Sequence, residues 1–261
     1  MIRTIVPKIS SVLACVVLLT GVAGAPAKSA IIADIIWIID DSISMGGDIA
    51  QVRNRILQFD TEMTNAGIDA NYGLVRFGGN TGIPASYSTN SGRYGPGDRI
   101  ATMEHQLSDF AAFASGFLST MTAPTRTQEP GSKGVVVAFD EINFRAGSVK
   151  NIILVTDEDD DSSITDFNLA DQLLTDNDAL FNFIGVPGTG NTNSRYGQLA
   201  SDHGGAAFNI GSFRSDPDPF FDNFTATKVR EILIAVPEPG MAAIFGLGVA
   251  GFVILRRRSW V

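Results

Sequence analysis

Residues 40–44 read Asp-Asp-Ser-Ile-Ser, so a carboxylate and two hydroxyls fall at alternate positions, Asp40, Ser42 and Ser44. All three are hard oxygen donors, the kind that suit Mg²⁺, Mn²⁺ or Ca²⁺ rather than zinc or copper. Asp41 is out of phase with them and reads as a spacer. A second acidic group, Asp157 followed by Glu158-Asp159-Asp160-Asp161, comes much later. The run after Asp157 is either a solvated acidic loop or a holder of an extra cation. Softer metal chemistry is excluded. There are two histidines, His105 and His203, and one cysteine, Cys15. These make neither a cysteine-ligated zinc site nor a disulfide framework. His105 reads as a surface residue at a helix start and His203 as a loop or helix-end residue. No Gly-x-Ser-x-Gly elbow and no phosphate-cradling glycine loop is present.

These residues need elements to hold them. Residues 33–40 (ADIIWIID) are a continuous apolar run ending in an acid, the pattern of a strand buried on both faces of a parallel sheet. Ligands in such sheets sit at the carboxyl ends of strands, where Asp40, Ser42 and Ser44 fall. Ile49, Val52, Ile56, Phe59 and Met63 then recur at helical spacing over 48–66, with Gly67 as the stop. Residues 70–77 read as a strand, and 78–97 as an exposed loop with a short edge strand near 85–88. Helices are predicted over 105–121, 135–144, 164–174, 196–203 and within 219–235, and strands over 151–156, 180–186 and 206–210. The alternation implies a layered α/β fold with a mostly parallel sheet.

The Asp-x-Ser-x-Ser string at the end of a first strand resembles the opening of the metal-ion-dependent adhesion site of von Willebrand factor A (VWA) domains. The resemblance covers about residues 32–235. It implies a Rossmann-like three-layer αβα fold, a mostly parallel central sheet with one short antiparallel edge strand. It also implies that Asp40, Ser42 and Ser44 bind Mg²⁺ (or Mn²⁺/Ca²⁺) with a loop threonine and a second aspartate. That aspartate is Asp157, which closes the strand NIILVT. The threonine is Thr127 or Thr125, and Thr127 is nearer the helix. Integrin β subunits resemble the family and place a glutamate in this loop, which makes Glu129 an alternative ligand. They also carry paired aspartates for a neighbouring calcium site, where this chain has only Gly47-Asp48. Many members have glycine after the second aspartate, where this chain has Glu158. Asp48, Glu158 and Asp159 are thus candidates for an additional metal.

Both ends read as addresses. Residues 1–30 have the basic start, apolar run and small residues of a secretory signal, cleaved after Ala25 or near Ala30. Residues 236–261 contain Pro237-Glu238-Pro239, an apolar stretch over 241–255 and Arg256-Arg257-Arg258. That order resembles the PEP-CTERM sorting signal of Gram-negative bacteria. The resemblance implies a transmembrane helix over 241–255 and processing by an exosortase at Pro-Glu-Pro. It further implies membrane anchoring before processing, then residence on the cell surface or in the extracellular matrix. The arginines would hold the tail on the cytoplasmic side.

The three parts are thus a signal peptide (1–30), a VWA domain (31–235) and a sorting signal (236–261). The formal net charge is -9. Six of the 19 basic residues but only one of the 28 acidic ones lie in the two ends. The middle therefore carries about 14 excess negative charges, which disfavours nucleic acid as a partner. The expected function is a non-enzymatic binding module that holds a protein or an acidic glycan, through its carboxylate, at a divalent cation. A matrix component with a purely stabilising metal is the alternative. Metal-assisted hydrolysis comes last, with Glu129 as its sole candidate base.

Overall fold

The computed structural model describes residues 30–78, 101–120, 129–186 and 190–236. Six strands form one sheet: β1 (Ile31–Asp40), β2 (Ile68–Phe77), β3 (Ala101–Ser108), β4 (Val149–Val155), β5 (Leu180–Gly185) and β6 (Ala207–Asn209), in the order β3-β2-β1-β4-β5-β6. Only the β2–β3 pair is antiparallel. The helices are α1 (Gly46–Asn65), α2 (Phe110–Thr120), α3 (Gly131–Glu141), α4 (Ile164–Asp176), α5 (Gly190–Asp202), α6 (Ile210–Ser215) and α7 (Pro217–Ala235).

The alternation of β1 explains the layering. Ile35, Trp37 and Ile39 enter one core with α1, α2, α6 and α7, while Ile36 and Ile38 enter the other with α3, α4 and α5. Burial on both faces is why the strand is apolar from Ile35 to Ile39. The first core is aromatic. Trp37 meets Phe59 edge-on at 5.5 Å, and Phe59 stacks on Phe224 of α7 at 5.8 Å. Each fully buried large side chain contributes about 1.5–3 kcal/mol.

Several boundaries differ from the sequence expectation. Residues 105–108 belong to β3, not to a helix, and α2 starts only at Phe110. The unpaired edge of β2 offers a ladder of backbone groups, which outweighs the helical spacing of Leu107 and Phe110. Asp109 then starts the helix by accepting from Ala112 N–H at 3.0 Å. His105 therefore sits on a strand, half-buried against Phe113. The antiparallel edge strand is β3, while the one expected near 85–88 lies outside the described residues. The helix expected within 219–235 is α7, and a further short helix, α6, precedes it where none was expected.

Near the N-terminal end of the central strand β1, Asp34 is fully buried. It accepts from Arg145 Nε at 2.6 Å and from Ser148 Oγ at 2.8 Å. Among the described residues, no helix is long and apolar enough to cross a membrane. The stretch 241–255 lies outside them.

Candidate metal centre

β1 and β4 are paired in parallel, Ile39 opposite Val155, so Asp40 and Thr156 emerge side by side. Asp40 is fully buried. One of its oxygens accepts from Ser42 N–H and the other from Thr156 Oγ, each at 2.8 Å. The chain then turns through a short 3-10 segment, Ile43–Met45, into α1. That turn carries Ser42 and Ser44 with their hydroxyl oxygens 3.0 Å apart. Ser44 donates to Asp157 Oδ1 at 3.0 Å, and the Ser42 hydroxyl lies within hydrogen-bond reach of Asp40 and Glu129. Glu129 is buried, and its backbone N–H donates to Asp161 at 2.9 Å.

Five oxygen-bearing side chains thus form one connected group: Asp40, Ser42, Ser44, Asp157 and Glu129. They fit a hard divalent cation on the chemistry of the donor set. Even with Thr156 Oγ and Ser42 N–H donating to Asp40 and Arg214 donating to Asp157, the three carboxylates keep acceptor lone pairs in surplus. Burial, against bonds from Ser42 and Thr156, pushes the Asp40 carboxyl up to about 6. Burial, then the charges of Asp40 and Glu158, pushes Glu129 up to about 8. A cation among these groups relieves both costs. Among the described residues, no three acidic, histidine or cysteine side chains gather tightly enough to hold a metal alone. The serine hydroxyls are therefore integral to the set.

The remaining acids are spoken for differently. Asp48 is buried in the first turn of α1 with both oxygens 3.0 Å from Arg214 Nε. Arg214 of α6 also reaches Asp157 Oδ2 through Nη2 at 2.7 Å. Its two carboxylate partners hold its pKa above the usual arginine value. Asp41 pairs with Arg76 at 3.1 Å, away from the serines. Glu158 and Asp159 are exposed, and burial plus the Asp157 charge raises the Glu158 carboxyl.

Asp160 is not solvated: it is buried and accepts from Ser132 Oγ at 2.6 Å, Ser162 N–H at 3.1 Å and Ser132 N–H at 3.3 Å. It thereby fastens the start of α3, and Glu129 just before it, to the loop after β4. Tyr196 assists, its hydroxyl accepting from Gly131 N–H at 3.0 Å. Both histidines lie elsewhere, His203 at the end of α5 against Asp171 at 2.8 Å. Thr125 and Thr127, and the sorting residues Pro237 to Pro239 and Arg256 to Arg258, lie outside the described residues.

The von Willebrand factor type A domain family matches residues 34–220. The chain belongs to this family. The PEP-CTERM protein-sorting motif matches residues 235–258, which marks the VWA chain for export and sorting. No curated protein is similar enough to count as a relative. Among solved structures, the proximal thread matrix protein 1 of the mussel byssus, described with a zinc-occupied MIDAS motif, has 20% identity and a TM-score of 0.53. The match covers 76% of this chain and 46% of that one. A von Willebrand factor type A structure from Catenulispora acidiphila has 16% identity and a TM-score of 0.53, covering 77% of this chain and 43% of that one. The chain thus spans less than half the length of either structure, and the likeness is one of fold.

Thr156 and Arg214 were not among the residues singled out for roles at the site from sequence, and Asp160 entered only as part of the acidic run after Asp157. Thr156 had a visible signal, a hydroxyl between the strand and Asp157. Arg214 had none beyond the need of an acidic cluster for a positive neighbour.

Proposed function

We propose that this VWA domain is an exported binding module that captures an anionic ligand, a protein carboxylate or an acidic glycan, through a divalent cation. The observation that carries the proposal is the continuous oxygen group of Asp40, Ser42, Ser44, Asp157 and Glu129 at the strand ends. Asp40, Ser42, Ser44 and Asp157 hold the cation, with Glu129 or Thr127 completing the set. Among the described residues the donors are all oxygens, which favours Mg²⁺, Mn²⁺ or Ca²⁺. The cation supplies a Lewis-acidic position for an oxygen of the ligand. Thr156 and the Ser42 N–H orient the Asp40 carboxylate, and Asp160 orients the Glu129 loop. The acidic surface of the domain repels polyanions, so a ligand that binds must gain specifically at the cation.

The mussel protein with zinc in its motif makes Zn²⁺ a member of the ion panel to be tested. The sorting motif favours a site of action outside the inner membrane of a Gram-negative cell, after exosortase processing. The test is capture of the producer's extracellular material by the purified chain, with Mg²⁺ or Mn²⁺, with chelator, and with Asp40→Ala. Capture that needs both the cation and Asp40 supports the module. Cation binding with no cation-dependent capture favours a purely stabilising metal. Capture unaffected by chelator and by Asp40→Ala overturns the proposal.

A further inference from the structure

On the face of the sheet covered by α7 lies a polar group that the strand-end site does not use. Lys228 of α7 is fully buried. Its Nζ lies 4.8 Å from the centre of the Phe208 ring and 5.3 Å from that of Phe224. It donates to Oδ1 of Asn182 in β5 and lies 2.8 Å from Glu231 Oε2. Asn182, also fully buried, is held at both ends of its amide. Ala206 N–H donates to the same Oδ1 at 2.9 Å, and Asn182 Nδ2 donates to Asn151 Oδ1 at 2.9 Å. Those two partners fix which atom is the oxygen. Gly205 permits the approach of Ala206, because a Cβ at position 205 would collide with the Phe181 carbonyl.

Burying an ammonium ion is costly, and the two ring faces and Glu231 offset only part of that cost, so the neutral amine becomes accessible at mildly alkaline pH. Burial draws Lys228 down to about 8, against the opposing pull of Glu231 and together with the repulsion of Arg230. An amine thus faces an amide carbonyl polarised by a backbone N–H, with a carboxylate in contact with the amine. These are the parts of an acyl transfer: nucleophile, oxyanion donor and proton carrier.

We infer that Lys228 and Asn182 form an intramolecular isopeptide bond, with Glu231 as the proton carrier. The lone pair of Lys228 Nζ attacks Asn182 Cγ, and the carbonyl pair moves onto Oδ1, where Ala206 N–H receives the charge. Glu231 takes one proton from Nζ and passes it to Nδ2. The Cγ–Nδ2 bond breaks, ammonia leaves, and Glu231 is a carboxylate again. One C–N bond forms and one breaks, and no oxidant is required. The product staples α7 to β5 in a chain whose single cysteine, Cys15, cannot make an internal disulfide.

The test is tryptic peptide mapping of the full chain after incubation at about pH 9, where the amine form predominates. The expected product is peptide 151–195 joined to peptide 215–230, lighter than their sum by one ammonia and uncut after Lys228. Asn182→Ala abolishes it, and Glu231→Gln slows its formation by about 100-fold or more. Wild-type protein that yields the two peptides separately, cut after Lys228, overturns the inference. Separate peptides in which Asn182 has hydrolysed to aspartate overturn it equally. A bond that forms as fast in Glu231→Gln removes the role given to Glu231.

Discussion

Asp40 works through its surroundings as much as through its charge. Thr156 Oγ and Ser42 N–H hold it from two sides, so its carboxylate cannot turn away from the turn that carries the serines. Thr156→Val is expected to weaken cation binding by roughly tenfold without unfolding the chain, because such orienting partners typically account for that much. Isothermal calorimetry with Mg²⁺ or Mn²⁺ checks it. The pH dependence follows from Asp40 near 6 and Glu129 near 8, both raised by burial. A cation needs both deprotonated, so affinity is expected to fall as pH drops from above 8 to below 6. The metal-free protein should respond in the opposite sense. A carboxyl whose folded pKa is raised stabilises below its unfolded pKa, and that contribution is lost as pH rises through the folded value. Added cation should therefore raise the melting temperature more at about pH 8 than at about pH 5.5. An equal rise at both would remove Glu129 and Asp40 from the binding set.

The loops that hold the site are fastened by buried acids. Asp160 joins the loop after β4 to the start of α3, and Asp160→Ala leaves Ser132 Oγ and two backbone N–H groups without their acceptor. The expected loss is about 2–4 kcal/mol in urea unfolding, with weaker cation binding because Glu129 loses its support. Arg214 joins α6 to both α1 and Asp157. Arg214→Ala should destabilise the metal-free chain by about 1–3 kcal/mol, since buried Asp48 loses its partner. Mg²⁺ should recover only the part that belongs to Asp157, and full recovery would place Asp48 at the cation as well.

Much of this was legible in the sequence. The run ADIIWIID could only be a strand buried on both faces, and Asp-x-Ser-x-Ser at its end announced the oxygen group. The 105–121 segment was not legible. Its alternation and its helical spacing overlap, and only the open edge of β2 decides between them. The acidic run after Asp157 was equally ambiguous. Sequence shows four adjacent charges, but not that Asp160 turns inward to Ser132 while Glu158 stays in water.

Trp37 sits at the centre of the aromatic core against Phe59 and Phe224, yet its indole N–H has no hydrogen-bond partner among the described residues. Trp37→Phe is therefore expected to cost much less than Trp37→Ala, for which about 3–5 kcal/mol is typical. Chemical denaturation of the two variants checks the order.

The direction of α7 has a consequence for the whole molecule. Arg55 and Gln58 of α1 reach Asp218 and Asp222 of α7 in the same sequence, so the two helices run the same way. α1 starts beside the oxygen group and runs toward the start of β2. Over 19 residues, α7 carries the chain roughly 28 Å in that direction. The described chain consequently ends, at Val236, near the pole where β1 enters, opposite the strand ends that carry Asp40. A tether fixed at Val236 would therefore leave Asp40 and its neighbours facing away from the point of attachment.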